Sequence, residues 1–281
     1  MENFHAQDYT VLKVFNNNVL LVTFGNKEKI LYSKGIGFGK KIGDKISEGI
    51  RIDKIYSIED SSNSDKFNQL MSFVDNEIIG ICEEIIYMIS KELNEELNEK
   101  IHISLTDHIA FAIKRIKAKD EIINPFLIET ETLYRREFEI ARKAINMLER
   151  KIGISIPDGE VGFITLHIHS ARQQGKLSNT LKYAYLSNNV VKYIEKAFDL
   201  TIDRHTIDYA RFITHLRFTI ERIINRNTIK NELLNVIKKQ YSKSYKVANE
   251  VCKLIESELQ EKIVEDEVGY MAVHIEKIRV L

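Results

Sequence analysis

Two stretches of this chain lie over one another at a fixed offset of 107 residues. Asp107-His-Ile-Ala-Phe-Ala-Ile-Lys-Arg-Ile116 matches Thr214-His-Leu-Arg-Phe-Thr-Ile-Glu-Arg-Ile223. Glu160-Val-Gly-Phe-Ile-Thr-Leu-His167 matches Glu267-Val-Gly-Tyr-Met-Ala-Val-His274. Tyr134 falls on Tyr241 and Ala141 on Ala248, with no gap between the copies. Each copy therefore carries two histidines 59 residues apart, His108 with His167 and His215 with His274. An internal repeat of this kind dictates two like domains in the C-terminal part of the chain. Around the histidines the neighbours drift: Phe163 becomes Tyr270, Ile164 becomes Met271 and Thr165 becomes Ala272.

The repeats read as helical. In Leu105–Ile116 the apolar residues Leu105, Ile109, Ala112, Ile113 and Ile116 recur at spacings of three and four. Thr106 or Asp107 is the expected cap or break at the start of this helix. A second histidine helix is predicted after Pro157-Asp158-Gly159, with a counterpart near Glu265, where acidic residues favour a helix N-terminus. Each copy is expected to be an all-α bundle of about five helices, over residues 70–178 and 179–281, with Gln173–Asn179 as linker.

Residues 9–60 follow another rule. Thr10–Phe15, Asn18–Phe24, Lys29–Tyr32 and Arg51–Ile58 are β-branched or aromatic runs bounded by turn formers, the pattern of an antiparallel sheet. Asn16–Asn18 and Gly25-Asn26 suit hairpin loops, and Gly35-Ile-Gly-Phe-Gly39 a permissive loop. A module this small has little core of its own, so it is expected to dimerise. Residues 1–8 read as a flexible N-terminus, and 61–69, with Ser61-Ser-Asn-Ser-Asp65, as a polar linker. The fold class is thus multidomain, a small all-β module followed by two homologous all-α domains.

Charge sharpens the division. The chain has 41 basic and 41 acidic residues, yet from Tyr9 to Tyr56 nine lysines and arginines face four carboxylates. The first module is basic inside a neutral chain. No run approaches the roughly 18 apolar residues needed to span a bilayer, so no membrane insertion is expected. The N-terminus lacks a signal-peptide pattern, which points to the cytoplasm. Cys82 and Cys252 are the only cysteines, which excludes a disulfide framework and a cysteine-based zinc cluster. Cys252 stands where the first copy has Ile145, as a small core residue would.

Residue chemistry leaves three uses open for the four histidines. They can be packing residues, copied with the rest of an ancestral module. They can be metal ligands, but a site normally takes three or four donors. His169 is replaced by Glu276 in the second copy, and Asp107 by Thr214. They can also accept a phosphoryl group, which requires a neutral ring nitrogen, a partner on the other nitrogen and room for a donor. Asp107, next to His108, is a candidate orienting group.

The motifs Leu105-Thr-Asp-His-Ile109 and Gly162-Phe-Ile-Thr-Leu-His-Ile168, their second copies, and Val14-Phe-Asn-Asn-Asn-Val19 with Lys34-Gly-Ile-Gly-Phe-Gly-Lys-Lys41 resemble the BglG/SacY/LicT family of transcription antiterminators, most closely its glucose-operon GlcT branch. The resemblance extends from Tyr9 to the C-terminus. It implies a homodimeric co-antiterminator module that binds an RNA hairpin in a nascent leader transcript and so prevents termination. The two helical domains are implied to be phosphotransferase-system (PTS) regulation domains. His108, His167, His215 and His274 fall on the family's phosphorylated positions, whereas His102, His169 and His205 do not. The sugar permease (EII) is the implied donor to the first domain and the carrier HPr a further one. A phosphate at a twofold interface would loosen the dimer and withdraw the RNA surface.

For RNA, Lys13, Lys34 and Lys40 would neutralise phosphates, Asn17 and Asn18 would read base edges, Phe38 would stack, and Gly35 would let the backbone approach. Ser33 and Lys34 depart from the glycine and arginine common in relatives, and a lysine cannot make the bidentate contact of a guanidinium. No catalytic residue, metal or cofactor is expected. A β-glucoside or sucrose operon, a histidine-dependent metalloenzyme and a DNA-binding activator with the same regulatory domains remain the alternatives.

Overall fold

The computed structural model describes residues 9–25, 27–46, 49–120, 123–172, 177–227 and 229–280. The expected N-terminal tail and Asn26 lie outside them, as does the 173–176 part of the linker.

Four antiparallel strands, β1 (Tyr9–Asn16), β2 (Val19–Phe24), β3 (Lys27–Tyr32) and β4 (Lys54–Ser57), pair in chain order. Alternation along β2 sends side chains to both faces of this sheet, and both faces are covered. Leu20 and Val22 join Tyr9, Val11, Leu31, Ile36 and Ile46 in one core, roofed by the loop that follows β3. Val19 and Leu21 join Phe15 and Ile30 in another, with Phe67 and Leu70 of helix α1 (Ser61–Phe73), its C-cap Val74, and Ile79 of α2 (Asn76–Leu93). A fifty-residue sheet that is marginal alone thus gains a second core from the helices of its own chain.

The segment 61–69, expected as a linker, is the first part of α1. Its serines and asparagine are turn formers, but Asp60 accepts from the Asn63 amide as an N-cap, and Phe67 and Leu70 supply a buried stripe. The Glu99 carboxylate completes the helix start by accepting from the Glu59 and Asp60 amides and from the Asn63 side chain.

Beyond lie α3 (Ile101–Lys117), α4 (Leu127–Leu133), α5 (Arg135–Ile152), α6 (Asp158–Arg172), α7 (Leu177–Phe198), α8 (Ile207–Ile224), α9 (Leu234–Gln240), α10 (Ser242–Leu259) and α11 (Glu265–Arg279). The ends of α4, α5 and α6 recur in α9, α10 and α11 at the offset of 107. α3 runs unbroken from Ile101, so Thr106 and Asp107 are mid-helix residues and neither caps it. Thr106 is fully buried, which outweighs its turn preference.

The chain divides into two compact units, residues 1–123 with 136–175, and residues 124–135 with 176–281. The sheet and most of the first repeat form the first unit. Residues 124–135, inside the first repeat by sequence, pack with the second: Asn188 donates to the Pro125 carbonyl at 2.7 Å and the Tyr209 hydroxyl to Glu129 at 2.7 Å. The second unit's core runs from Leu186 through Phe212, Leu216, Val251 and Cys252 to Ile275. Burial pushes the Cys252 thiol up to about 12, the behaviour of a packing residue.

Candidate functional site

In the first module the β1–β2 hairpin is locked to the loop after β3. The Gly37 amide donates to the Asn17 carbonyl at 2.9 Å, the Ser33 amide to the Asn18 carbonyl at 3.1 Å, and the Gly35 amide to Asn18 Oδ1 at 2.9 Å. A Cβ on Gly37 would meet the Asn16 carbonyl oxygen at 2.3 Å, so only glycine permits this approach. Gly35, at φ +77°, uses the same freedom for its turn.

The result is one surface presenting Asn17, Lys34, Gly35 and Phe38, all exposed, with Lys40 half-buried beside them. Phe38 is 78% exposed, unusual for a phenylalanine with no packing role. Lys13 is not brought to this surface; its ammonium donates to the Met71 carbonyl near the end of α1 at 3.2 Å. Ser33 is buried and donates to Asp53 at 2.9 Å, so its role is to tie the loop to the β4 approach.

In each repeat the fold brings the two sequence-distant histidines together. His108 on α3 and His167 on α6 have ring centroids 5.0 Å apart; His215 on α8 and His274 on α11 stack at 3.9 Å with 24° between planes. The Glu160 carboxylate, not Asp107, orients the first ring, accepting from His108 Nε2 at 2.9 Å and from Arg115 at 2.9 Å. Asp107 is exposed on the neighbouring face of α3. Nδ1 of His167 lies 3.3 Å from the Ser104 hydroxyl.

In the second copy Glu267 gives both oxygens to Arg222, at 2.6 and 2.8 Å, with the Thr219 hydroxyl at 3.4 Å. Sequence reading missed these arginine–glutamate pairs. The signal was present, since Arg115 and Arg222, and Glu160 and Glu267, are identical across the repeat.

Burial first, and the neighbouring His108 second, push His167 down to about 3. Burial, then His215, then Lys277 lower His274 to about 4. Both rings are therefore neutral at pH 7, the form with a free electron pair. This has a cost in acid: below about 6.5 the unfolded chain takes up a proton that folded His167 refuses. Stability should fall as pH drops from about 6.5 towards 3, with His167 contributing up to about 1.4 kcal/mol per pH unit. Urea unfolding across this window should show the slope, and His167→Gln should reduce it; an unchanged slope would refute the assignment.

Outside the pairs, His102 is buried on Glu83 at 2.7 Å, His169 is half-buried against Glu137 at 2.9 Å, and His205 is exposed. The change from His169 to Glu276 is compensated, because Glu137 gives way to Ser244, which donates to Glu276 at 2.5 Å. Among the described residues no group of three or more histidine, cysteine or acidic side chains is placed to hold a metal ion, and no helix is long and apolar enough to cross a membrane.

Comparison with known proteins matches these parts in order. Residues 9–65 match the CAT RNA binding domain, and residues 83–171 and 188–278 each match the PRD domain. The chain belongs to the BglG/SacY/LicT family of transcription antiterminators. It is 40% identical over 273 residues to the PtsGHI operon antiterminator of Bacillus subtilis, covering 96% of this chain and 97% of that protein. Protein GlcT of Staphylococcus saprophyticus is 37% identical, covering 95% and 96%, and transcription antiterminator LicT of Bacillus subtilis is 34% identical, covering 95% and 98%. A crystal structure of GlcT CAT-PRDI, 47% identical, superposes with a TM-score of 0.51 over 58% of this chain and 98% of its own. The CAT module is a sheet, not a helix-turn-helix, so the DNA-binding reading does not stand. The relatives are named as regulators rather than enzymes.

Proposed function

We propose that this antiterminator binds, as a homodimer, an RNA hairpin in the leader of a PTS sugar operon, glucose permease being the target, and that phosphorylation of its histidines sets whether it binds. The meeting of two histidines in each repeat, from positions 59 residues apart, carries the regulatory half of this reading. His108 and His167 receive phosphate from the sugar permease, and His215 and His274 from HPr.

RNA lies on the surface of Asn17, Asn18, Lys34, Gly35, Phe38 and Lys40, with Lys13 reaching it only if it leaves Met71. The names of the GlcT and PtsGHI relatives favour the glucose operon over a β-glucoside or sucrose one. Transcription in vitro from a template with a glucose-permease leader, hairpin and terminator tests the whole reading. The unphosphorylated protein should raise readthrough several-fold, and no effect would reject it.

A further inference from the structure

The second histidine pair differs from the first in what surrounds it. Asp208, Arg211 and His215 recur at one-turn spacings along α8, and His274 and Lys277 do so on α11, so they share one face of the second unit. Asp208 holds both cations, Arg211 at 3.5 Å and Lys277 at 3.4 Å. The corresponding first-copy residues are Ile101, Ser104 and Ser170, none of which can be charged. Lys277 is close enough to help lower the His274 pKa.

The carboxylates differ in the opposite sense. In the first copy Arg115 takes one oxygen of Glu160 and leaves the other on His108. In the second, Thr219 replaces Ala112, and Arg222 with Thr219 engages both oxygens of Glu267. A new anion on His108 meets a carboxylate already on that ring. One on the second pair meets two cations parked on a weakly held aspartate.

We infer that Arg211 and Lys277 form a phosphate-receiving clamp for a phosphohistidine at His215 or His274, with Asp208 as its resting counter-ion. The clamp rests on the reading of the pairs as phosphorylation sites and adds its positioning residues. A neutral ring nitrogen attacks the donor phosphorus, a P–N bond forms, and the donor's P–N bond breaks with its electron pair leaving on the donor nitrogen. With phosphoramidate as donor the leaving molecule is ammonia, and the ring keeps its remaining N–H. The phosphoryl group brings about −1.5 to −2 charges. Arg211 and Lys277 then exchange Asp208 for it in charge-assisted hydrogen bonds. Phosphorylation of the second pair is thereby accommodated inside its domain, whereas at the first pair it is repelled.

The full chain treated with phosphoramidate, a donor with no docking surface, tests this by site-resolved mass spectrometry and 31P NMR. Phosphohistidine at His215 or His274 should persist several-fold longer in the wild type than in an Arg211→Gln, Lys277→Gln protein. The 31P titration midpoint of the phosphoryl group should rise in that variant, which a merely structural role would not cause. An Arg211→Lys, Lys277→Arg protein should restore both. Equal lifetimes and midpoints, or no modification of either histidine, would overturn the clamp. RNA-hairpin binding by the unmodified proteins is measured in parallel: its loss in the wild type sinks the antiterminator reading alone, and its retention with a failed clamp sinks the clamp alone.

Discussion

Phe67→Ala should destabilise the first unit by about 3–5 kcal/mol, the range for truncating a buried phenylalanine. Phe67 is 2% exposed on α1 and meets Phe15 of β1 edge-on, with centroids 6.4 Å apart and planes at 86°. Around it stand Val19, Leu21 and Ile30 of the sheet and Leu70 and Ile79 of the helices, so the vacated space touches both. Neither strands nor helices can close the gap alone, which places the cost in the upper part of the range for such truncations. Calorimetry of the full chain should show the first unit's transition move down sharply while the second unit's stays in place. A loss under about 1 kcal/mol would mean that the sheet and α1 do not share a core.

Phe38→Ala should act the other way round, on binding and not on folding. An exposed ring contributes little to stability, so unfolding should change by no more than about 0.5 kcal/mol. Base stacking on an aromatic ring is worth about 1–3 kcal/mol by alanine substitution, which corresponds to a roughly 5- to 150-fold weaker hairpin complex. The mate of this test is Lys34→Ala, which should also lower the slope of log affinity against log salt by about 0.7–0.9, the mark of one lost phosphate contact. Wild-type affinity in the Phe38→Ala protein would remove the loop after β3 from the RNA surface.

Much of this was legible from residues. The repeat at 107 announced two like helical domains, and helix ends recur at that offset because the same apolar spacings were copied, although start and stop residues changed, Pro157 to Val264 and Gly153 to Gln260. The strands were legible from alternation and from the asparagine and glycine turns. What escaped was long-range. Ser61–Asp65 has the composition of a hinge, and a buried Phe67 two to six residues on, together with an Asp60 cap, makes it a helix. That residues 124–135 pack with the second unit depends on partners such as Asn188 and Tyr209, more than sixty residues away.

At the histidines the pairs were legible, but the partner was not: Asp107 was a candidate by adjacency alone. Successive helix residues point about 100° apart, whereas Glu160, on the facing helix, points at the ring. The cations around His215 and His274 were invisible for a related reason, because Asp208, Arg211 and Lys277 become one cluster only once α8 and α11 are packed.

The most direct test is hairpin binding before and after incubation with the phosphorylated permease domain, in the wild type and in a His108→Ala, His167→Ala protein. Control through the first pair predicts that the phosphorylated wild type loses its RNA complex by tenfold or more while the double variant keeps it. If the double variant also lost RNA binding, or the phosphorylated wild type kept it, the first histidine pair would not be the switch.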